Sequence, residues 1–288
     1  MELIHRFGKK IISKTVNDLG GRGLMLGRDG GYLWIARDPA SRYQGWFCQI
    51  GDDLIKIIDD IRPDAAGGFL ALENDFWRVK RIRENNRESF FLPARNCLAY
   101  EIENPAEIAF FLDVKESYKN PEANQRYAVW EEDGLVLTAC RQISGLLSSE
   151  IFLAVAGDFK IPKITNEWSD RDYEWDKKRA SPPFCRRVFR PATVSASRLV
   201  FAAGADKDEA AGRARRILND FEAEKSKNRA KFLNAYRGKV FWPALPGKTE
   251  MSKIAAKNAL RMLVKTEKED LSLRAGWPWF FQIWQRDE

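Results

Sequence analysis

A mainly β protein, an antiparallel two-sheet β-sandwich with helix after it, is predicted by three observations. Short runs of apolar, β-branched and aromatic residues recur from Gly31 to about Gly204, divided by Gly, Pro, Asn and Asp. No helical periodicity intervenes between those runs. From Asp206 to about Tyr236 the residues switch to strong helix formers.

The expected strands follow in order. Gly31–Ala36, Gly45–Ile50 and Leu54–Ile58 come first, then Gly68–Leu72, Phe76–Ile82, Ser89–Leu92, Leu98–Ile102 and Glu107–Val114. Tyr127–Trp130, Leu135–Ala139, Ile151–Ala156 and Arg198–Ala203 complete the set. Strands this short and this evenly spaced imply a sandwich, because an alternating apolar face must be covered by a second sheet. The densest basic stretch, Arg78 to Arg83, alternates like a solvated strand face.

The helical stretch predicts one long, mostly solvated helix. Ala214, Ile217, Leu218 and Phe221 lie on one face, and Phe232, Ala235 and Tyr236 continue it. Gly238 to Gly247, with Pro243 and Pro246, breaks the helix. A second helix is expected after Thr249, which can cap it, with Met251, Ile254, Ala255, Ala259, Met262 and Leu263 as its apolar stripe. One amphipathic helix cannot bury its own face, so this unit reads as cut short. The boundaries are therefore a β-sandwich over 1–204, a helical linker over 205–247 and the first part of a further unit over 248–288.

Composition bounds the function. The 288 residues are 44% hydrophobic and 31% charged, which is globular and not disordered. The net charge of +7 raises a nucleic-acid partner, but acids are interleaved with the bases almost throughout, so none is expected. Cys48, Cys97, Cys140 and Cys185 lack the paired spacing of a zinc site or a disulfide framework, and a reduced cytoplasm fits them best. Neither a signal peptide nor a membrane-spanning run is visible, so no membrane partner is expected. His5 alone cannot build a multi-histidine metal site, and no cofactor is expected.

Two phosphate-loop mimics fail. Gly21-Arg22-Gly23-Leu24-Met25-Leu26-Gly27 has its third glycine one place late and leads into a strand-like run, so it reads as a turn region. Gly247-Lys248-Thr249 has Trp242 where the first glycine belongs, and reads as a helix cap. Trp168, Tyr173, Trp175 and Asp176 could wall a sugar, since flat rings suit the apolar face of a pyranose, but ordinary packing explains them better.

The segment Ala275-Gly276-Trp277-Pro278-Trp279-Phe280-Phe281-Gln282-Ile283-Trp284-Gln285-Arg286-Asp287-Glu288 is different in kind, with three tryptophans, two phenylalanines and an adjacent Arg-Asp pair. It resembles the Ala-Gly-x-Pro-Trp-Phe…Trp-x-Arg-Asp signature of the amylo-α-1,6-glucosidases, the glycogen-debranching branch of the six-hairpin glycosidases. Ser41-Arg42-Tyr43-Gln44-Gly45 is more loosely similar to an Arg-Tyr-His-Gly stretch of that family's N-terminal domain, with Gln44 in place of the histidine. The resemblance implies a β-sandwich of super-sandwich type ahead of an (α/α)6 barrel, with the signature following the first barrel helix. It also implies an α-glucan or oligosaccharide substrate. Trp279 and Trp284 would form the apolar wall of the site, and Arg286 and Asp287 would hold the glucosyl unit on the non-reducing side of the scissile bond. A guanidinium fork and a charged acceptor suit the neighbouring hydroxyls of a sugar edge. The pair positions the sugar and does not cleave it.

Cleavage needs two carboxylates, which in such enzymes come from later barrel helices. The chain is thus expected to be inactive alone, as a fragment, half of a split gene or a truncated product, with a separately encoded barrel as one possible partner. Two other readings stay open: a non-enzymatic carbohydrate-binding or assembly module, and a basic nucleic-acid-binding protein.

Overall fold

The computed structural model describes residues 2–7, 10–15, 23–28, 30–64, 67–117, 125–144, 147–237, 264–267, 270–276 and 280–283. Among the described residues the protein is mostly β. In chain order the strands begin with β1 (Glu2–Phe7), β2 (Lys10–Thr15), β3 (Leu24–Arg28), β4 (Gly31–Ile35), β5 (Gly45–Ile50) and β6 (Asp53–Pro63). Next come β7 (Phe69–Asn74), β8 (Val79–Arg83), β9 (Arg87–Phe91), β10 (Cys97–Glu116), β11 (Gln125–Glu132), β12 (Leu135–Ser144) and β13 (Leu147–Gly157). The remainder are β14 (Lys163–Asp172), α1 (Glu174–Lys178), β15 (Cys185–Gly204), α2 (Lys207–Asn219), α3 (Phe221–Arg237), β16 (Val264–Glu267), β17 (Asp270–Gly276) and β18 (Phe280–Ile283).

Strands β1 to β15 form one sheet, and two long strands curl it. The first part of β10 pairs with β9 and with the end of β15. Its second part pairs with β6 and with the start of β15. The sheet runs on through β9, β8, β7, β1 and β2 in one layer, and through β6, β5, β4 and β3 in the other. One apolar core lies inside the curl, with Leu26, Trp46 and Ile57 from one layer meeting Leu72, Phe90, Leu153 and Phe201 from the other. The two-sheet expectation thus resolves into a single sheet wrapped over one core.

Pairing is antiparallel except between β1 and β7, which run parallel from Glu2↔Ala71 to His5↔Asn74. Local chemistry sets the turns. Asp133 and Gly134 take φ of 51° and 74° between β11 and β12, the mirror-image turn whose twist matches the strands it joins. At the entry to β5, Gly45 has φ +106°, and an added Cβ would lie 2.1 Å from the Ile58 carbonyl oxygen, so only glycine fits.

Several expectations change. Phe76 is not in a strand: it has φ +68° in the turn before β8. Nor is Arg78 to Arg83 a solvated face, because Val79, Lys80 and Arg81 are buried. Lys80 pairs with Glu73 and with Asp75 at 3.0 Å. Arg81 pairs with Glu88 at 2.8 Å and with Asp60 at 3.2 Å. Of the segment Gly21 to Gly27, expected as a turn region, Gly21 and Arg22 lie outside the described residues, and Leu24 to Gly27 belong instead to strand β3, hydrogen-bonded to β4.

The single long helix is two, divided at Asp220. It is also less solvated than its charges suggest, because α2 buries Ala210, Ala211, Ala214 and Ile217. Those small side chains meet Ala99, Ala154, Ala156 and Ala202 on the sheet, and alanine against alanine lets helix and sheet approach closely. The expected linker over Gly238–Gly247 and the helix after Thr249 lie outside the described residues. Beyond them β16, β17 and β18 make a three-stranded antiparallel sheet.

Candidate functional site

The signature residues fall partly on this small sheet. Ala275 and Gly276 end β17, Phe280 begins β18, and Gly276 pairs with Phe280. Trp279, Trp284, Arg286 and Asp287, the predicted sugar-holding residues, lie outside the described residues.

Two stretches singled out in the sequence do meet. The segment Ser41–Gln44 enters β5, and the short helix α1 follows Tyr173. Asp176 of α1 is fully buried and accepts from Ser41 Oγ at 2.9 Å and from the Arg42 backbone N–H at 2.8 Å. The Trp175 N–H donates to the Ala40 carbonyl at 2.8 Å. Gln44 Oε1 accepts from the backbone N–H groups of Ala40 and Ser41, folding the loop on itself. Buried acceptors placed on backbone donors are a structural clasp. Trp168 stands apart from it, packed against Tyr127 and Phe189 with ring centroids at 5.4 and 5.3 Å. The four residues therefore make no single sugar-facing wall.

Beneath the clasp lies a buried ion cluster. Lys56 Nζ donates to Asp59 Oδ1 at 2.6 Å and to the Arg42 carbonyl at 3.0 Å. Asp59 also accepts from Tyr173 Oη at 2.8 Å and Arg171 Nε at 3.0 Å. Asp113 pairs with Lys115 and Arg186, each at 3.1 Å, and with Lys56 at 3.7 Å. Asp113 and Lys115 are two apart in β10, hence on one face, while Leu112 and Val114 point into the apolar core. Burial alone would raise the Asp113 carboxyl, but Lys115, Lys56 and Arg186 outweigh it and hold it down at about 2. Burial pushes the Lys115 ammonium down to about 8 despite Asp113.

A second cluster spans β1, β7 and β8. Burial opposes ionisation of Glu73, yet its bonds to Arg6 and Lys80 bring it down to about 2. A general acid needs the opposite, a carboxyl raised toward neutral pH. Glu73 and Asp113 are permanent counter-ions and suit no acid–base step.

Other chemistry is sparse. Among the described residues no group of three or more His, Cys, Asp and Glu side chains is arranged to hold a metal ion. His5 lies against Phe76, and burial lowers its pKa. All four cysteines are free, and burial raises the thiols of Cys97 and Cys140 to about 11 and about 12, where they are inert. Among the described residues no helix is long and apolar enough to cross a membrane.

The open concavity that sequence reading missed lies between α3 and the β7–β8 turn. It has a volume of about 370 Å³ and is lined by Asp75, Trp77, Arg78, Glu222, Arg229 and Phe232 among others. The sequence signal for it is the turn-forming pair Asn74-Asp75 beside Trp77-Arg78. No known protein-family profile matches the chain, and no curated protein sequence matches it.

Proposed function

We propose that this chain is the N-terminal part of a glycogen-debranching type α-glucosidase acting at α-1,6 branches of an α-glucan. Trp279 and Trp284 wall its glucosyl site, and Arg286 and Asp287 hold the sugar hydroxyls. The observation that carries the reading is the ordered signature from Ala275 to Asp287. Its position supports it: a curled β body and the helices α2 and α3 precede it, the order such an enzyme has before its (α/α)6 barrel. The general acid and base belong, on this reading, to barrel helices beyond the signature. We place the enzyme in the cytoplasm, in keeping with its free cysteines.

A second reading, a carbohydrate-binding or assembly module without catalysis, is favoured by one observation. Glu73 and Asp113, the buried carboxylates with clear shifts, are both pulled down and not raised. Both readings share α-glucan as ligand. They are tested by incubating the purified chain with glycogen and α-1,6-linked oligosaccharides, measuring glucose release and binding separately. We expect binding without release. Turnover that disappears on replacing an acid of this chain would overturn the assignment of catalysis to later helices.

A further inference from the structure

The ion cluster beneath the clasp holds more positive charge than its own carboxylates neutralise. Lys115 of β10 stands directly opposite Lys56 of β6, and both are fully buried. Arg171 of β14 stands directly opposite Arg186 of β15, with side chains only 11% and 10% exposed. Like charges set opposite one another across paired strands repel, and burial deepens the cost because water cannot solvate them. Two carboxylates answer these four cations among the described residues. Asp59 takes Lys56 at 2.6 Å and Arg171 at 3.0 Å, and Asp113 takes Lys115 and Arg186, each at 3.1 Å. Asp60 comes no nearer to Arg171 than 4.0 Å and is held by Arg62 and Arg81. Four cations against two carboxylates leave two positive charges in excess, and one remains even when Lys115 gives up its proton.

The same part of the cluster holds orphaned buried atoms. Among the described residues Asp113 Oδ2, Lys115 Nζ, Ser117 Oγ and Arg186 Nε have no hydrogen-bond partner. Asp113, Lys115 and Ser117 recur at every second position along β10 and just past its end, so they share a face, and Arg186 meets the same Asp113 carboxylate. Lys115 Nζ lies 3.1 Å from Asp113 Oδ2 without hydrogen-bond alignment, so its protons are directed elsewhere. Three of the four orphans are donors: an ammonium, a guanidinium N–H and a hydroxyl. A water would satisfy such donors and leave the charge uncompensated, whereas an anion answers both. Burial sets its size. Lys115 and Ser117 are 1% and 5% exposed, so only a small ion suits the place, with the partly exposed Arg186 as its way in.

We propose that Lys115, Ser117 and Arg186 bind a halide-sized anion, chloride, which offsets the excess charge of the cluster and ties β6, β10, β14 and β15 together beneath the Ser41–Gln44 clasp. Asp113 Oδ2 stays turned to Lys115 and Lys56, at 3.1 and 3.7 Å. The site stands independently of the glucan reading.

The test compares the melting temperature of the full chain at neutral pH in sodium chloride and in sodium gluconate of equal ionic strength, so that screening is the same in both. Chloride at on the order of ten times its dissociation constant should raise the melting temperature of the unmodified chain by about 2–4 °C, because it binds the folded state alone. The shift should vanish in Lys115→Met. Arg186→Gln, at the partly exposed rim, should shrink it and serves as the comparison if Lys115→Met does not fold. Chlorine NMR gives a second measurement on the unmodified chain, where bound chloride should add line width that bromide removes. A shift of equal size in the unmodified chain and the variants would overturn the proposal, by marking a general salt effect. Absence of any chloride-specific shift, or of line width that bromide displaces, would also overturn it, leaving water as the partner of the orphaned atoms.

Discussion

Asp113 is enclosed by Lys56, Lys115 and Arg186, and Glu73 by Arg6 and Lys80, so both acids are ionised in places where water cannot stabilise them. Their folded values of about 2 compare with ordinary values of 3.8 and 4.5. A depressed carboxylate contributes stability that is whole above its ordinary value and is lost as pH falls through its folded value. We therefore expect stability to drop between about pH 4.5 and pH 2, by on the order of 2–3 kcal/mol for each group. Lys115 acts at the alkaline end. Between its folded value of about 8 and its ordinary 10.5 the unfolded chain holds more protons, so stability rises with pH in that alkaline window as it does for the carboxylates in the acid one. Urea melts across the pH range check both, with Glu73→Gln flattening the acid limb and Lys115→Met the alkaline one. An acid limb unchanged in Glu73→Gln would contradict the pairing. Little of this was legible beforehand. Arg81 reads as a surface residue because its partner Asp60 is 21 positions away, and only the curl of the sheet brings them together.

Among the elements, α2 shows how a charged sequence can still dock. Asp206 caps it, accepting from the Glu209 N–H at 2.7 Å, and Arg213 reaches back to the Ala203 carbonyl at 2.7 Å. Asp206→Ala should cost about 1 kcal/mol, since one orphan N–H at the helix start then has only water. Equilibrium denaturation measures it, and a loss below a few tenths of a kcal/mol would mean that packing alone fixes this end. Strands with an alternating apolar face were readable, as were the start of α2 and the end of β15. Others were not, each for a physical reason. Strand β10 reads as two strands because Asn104-Pro105 looks like a turn, but the sheet absorbs the proline at a register shift between Glu101 and Ala106. Pro191 hides the first half of β15 in the same way. Strand β14, Lys163–Asp172, shows no apolar face because most of it is exposed, and backbone pairing to β15 together with Trp168 against Tyr127 and Phe189 holds it.

At the scale of the whole molecule, β10 and β15 belong to both layers, so the two faces of the core cannot separate without breaking the longest pairing among the described residues. The β body and the helices after it were legible because periodicity is a local signal. The groove between α3 and the β7–β8 turn was not, because its walls are about 150 residues apart in the chain, as the Asn228–Trp77 bond shows. The signature is legible as an ordered string of residues, and its chemistry turns on Arg286 and Asp287. The most direct test is the affinity of the chain for a short α-1,6-branched oligosaccharide, compared between the unmodified protein and Asp287→Ala. Losing a charged hydrogen bond to the sugar costs about 1.5–3 kcal/mol, so the account predicts saturable binding that weakens roughly ten- to hundredfold with an unchanged melting temperature. Equal affinity in the two proteins, or no binding by either, would contradict it.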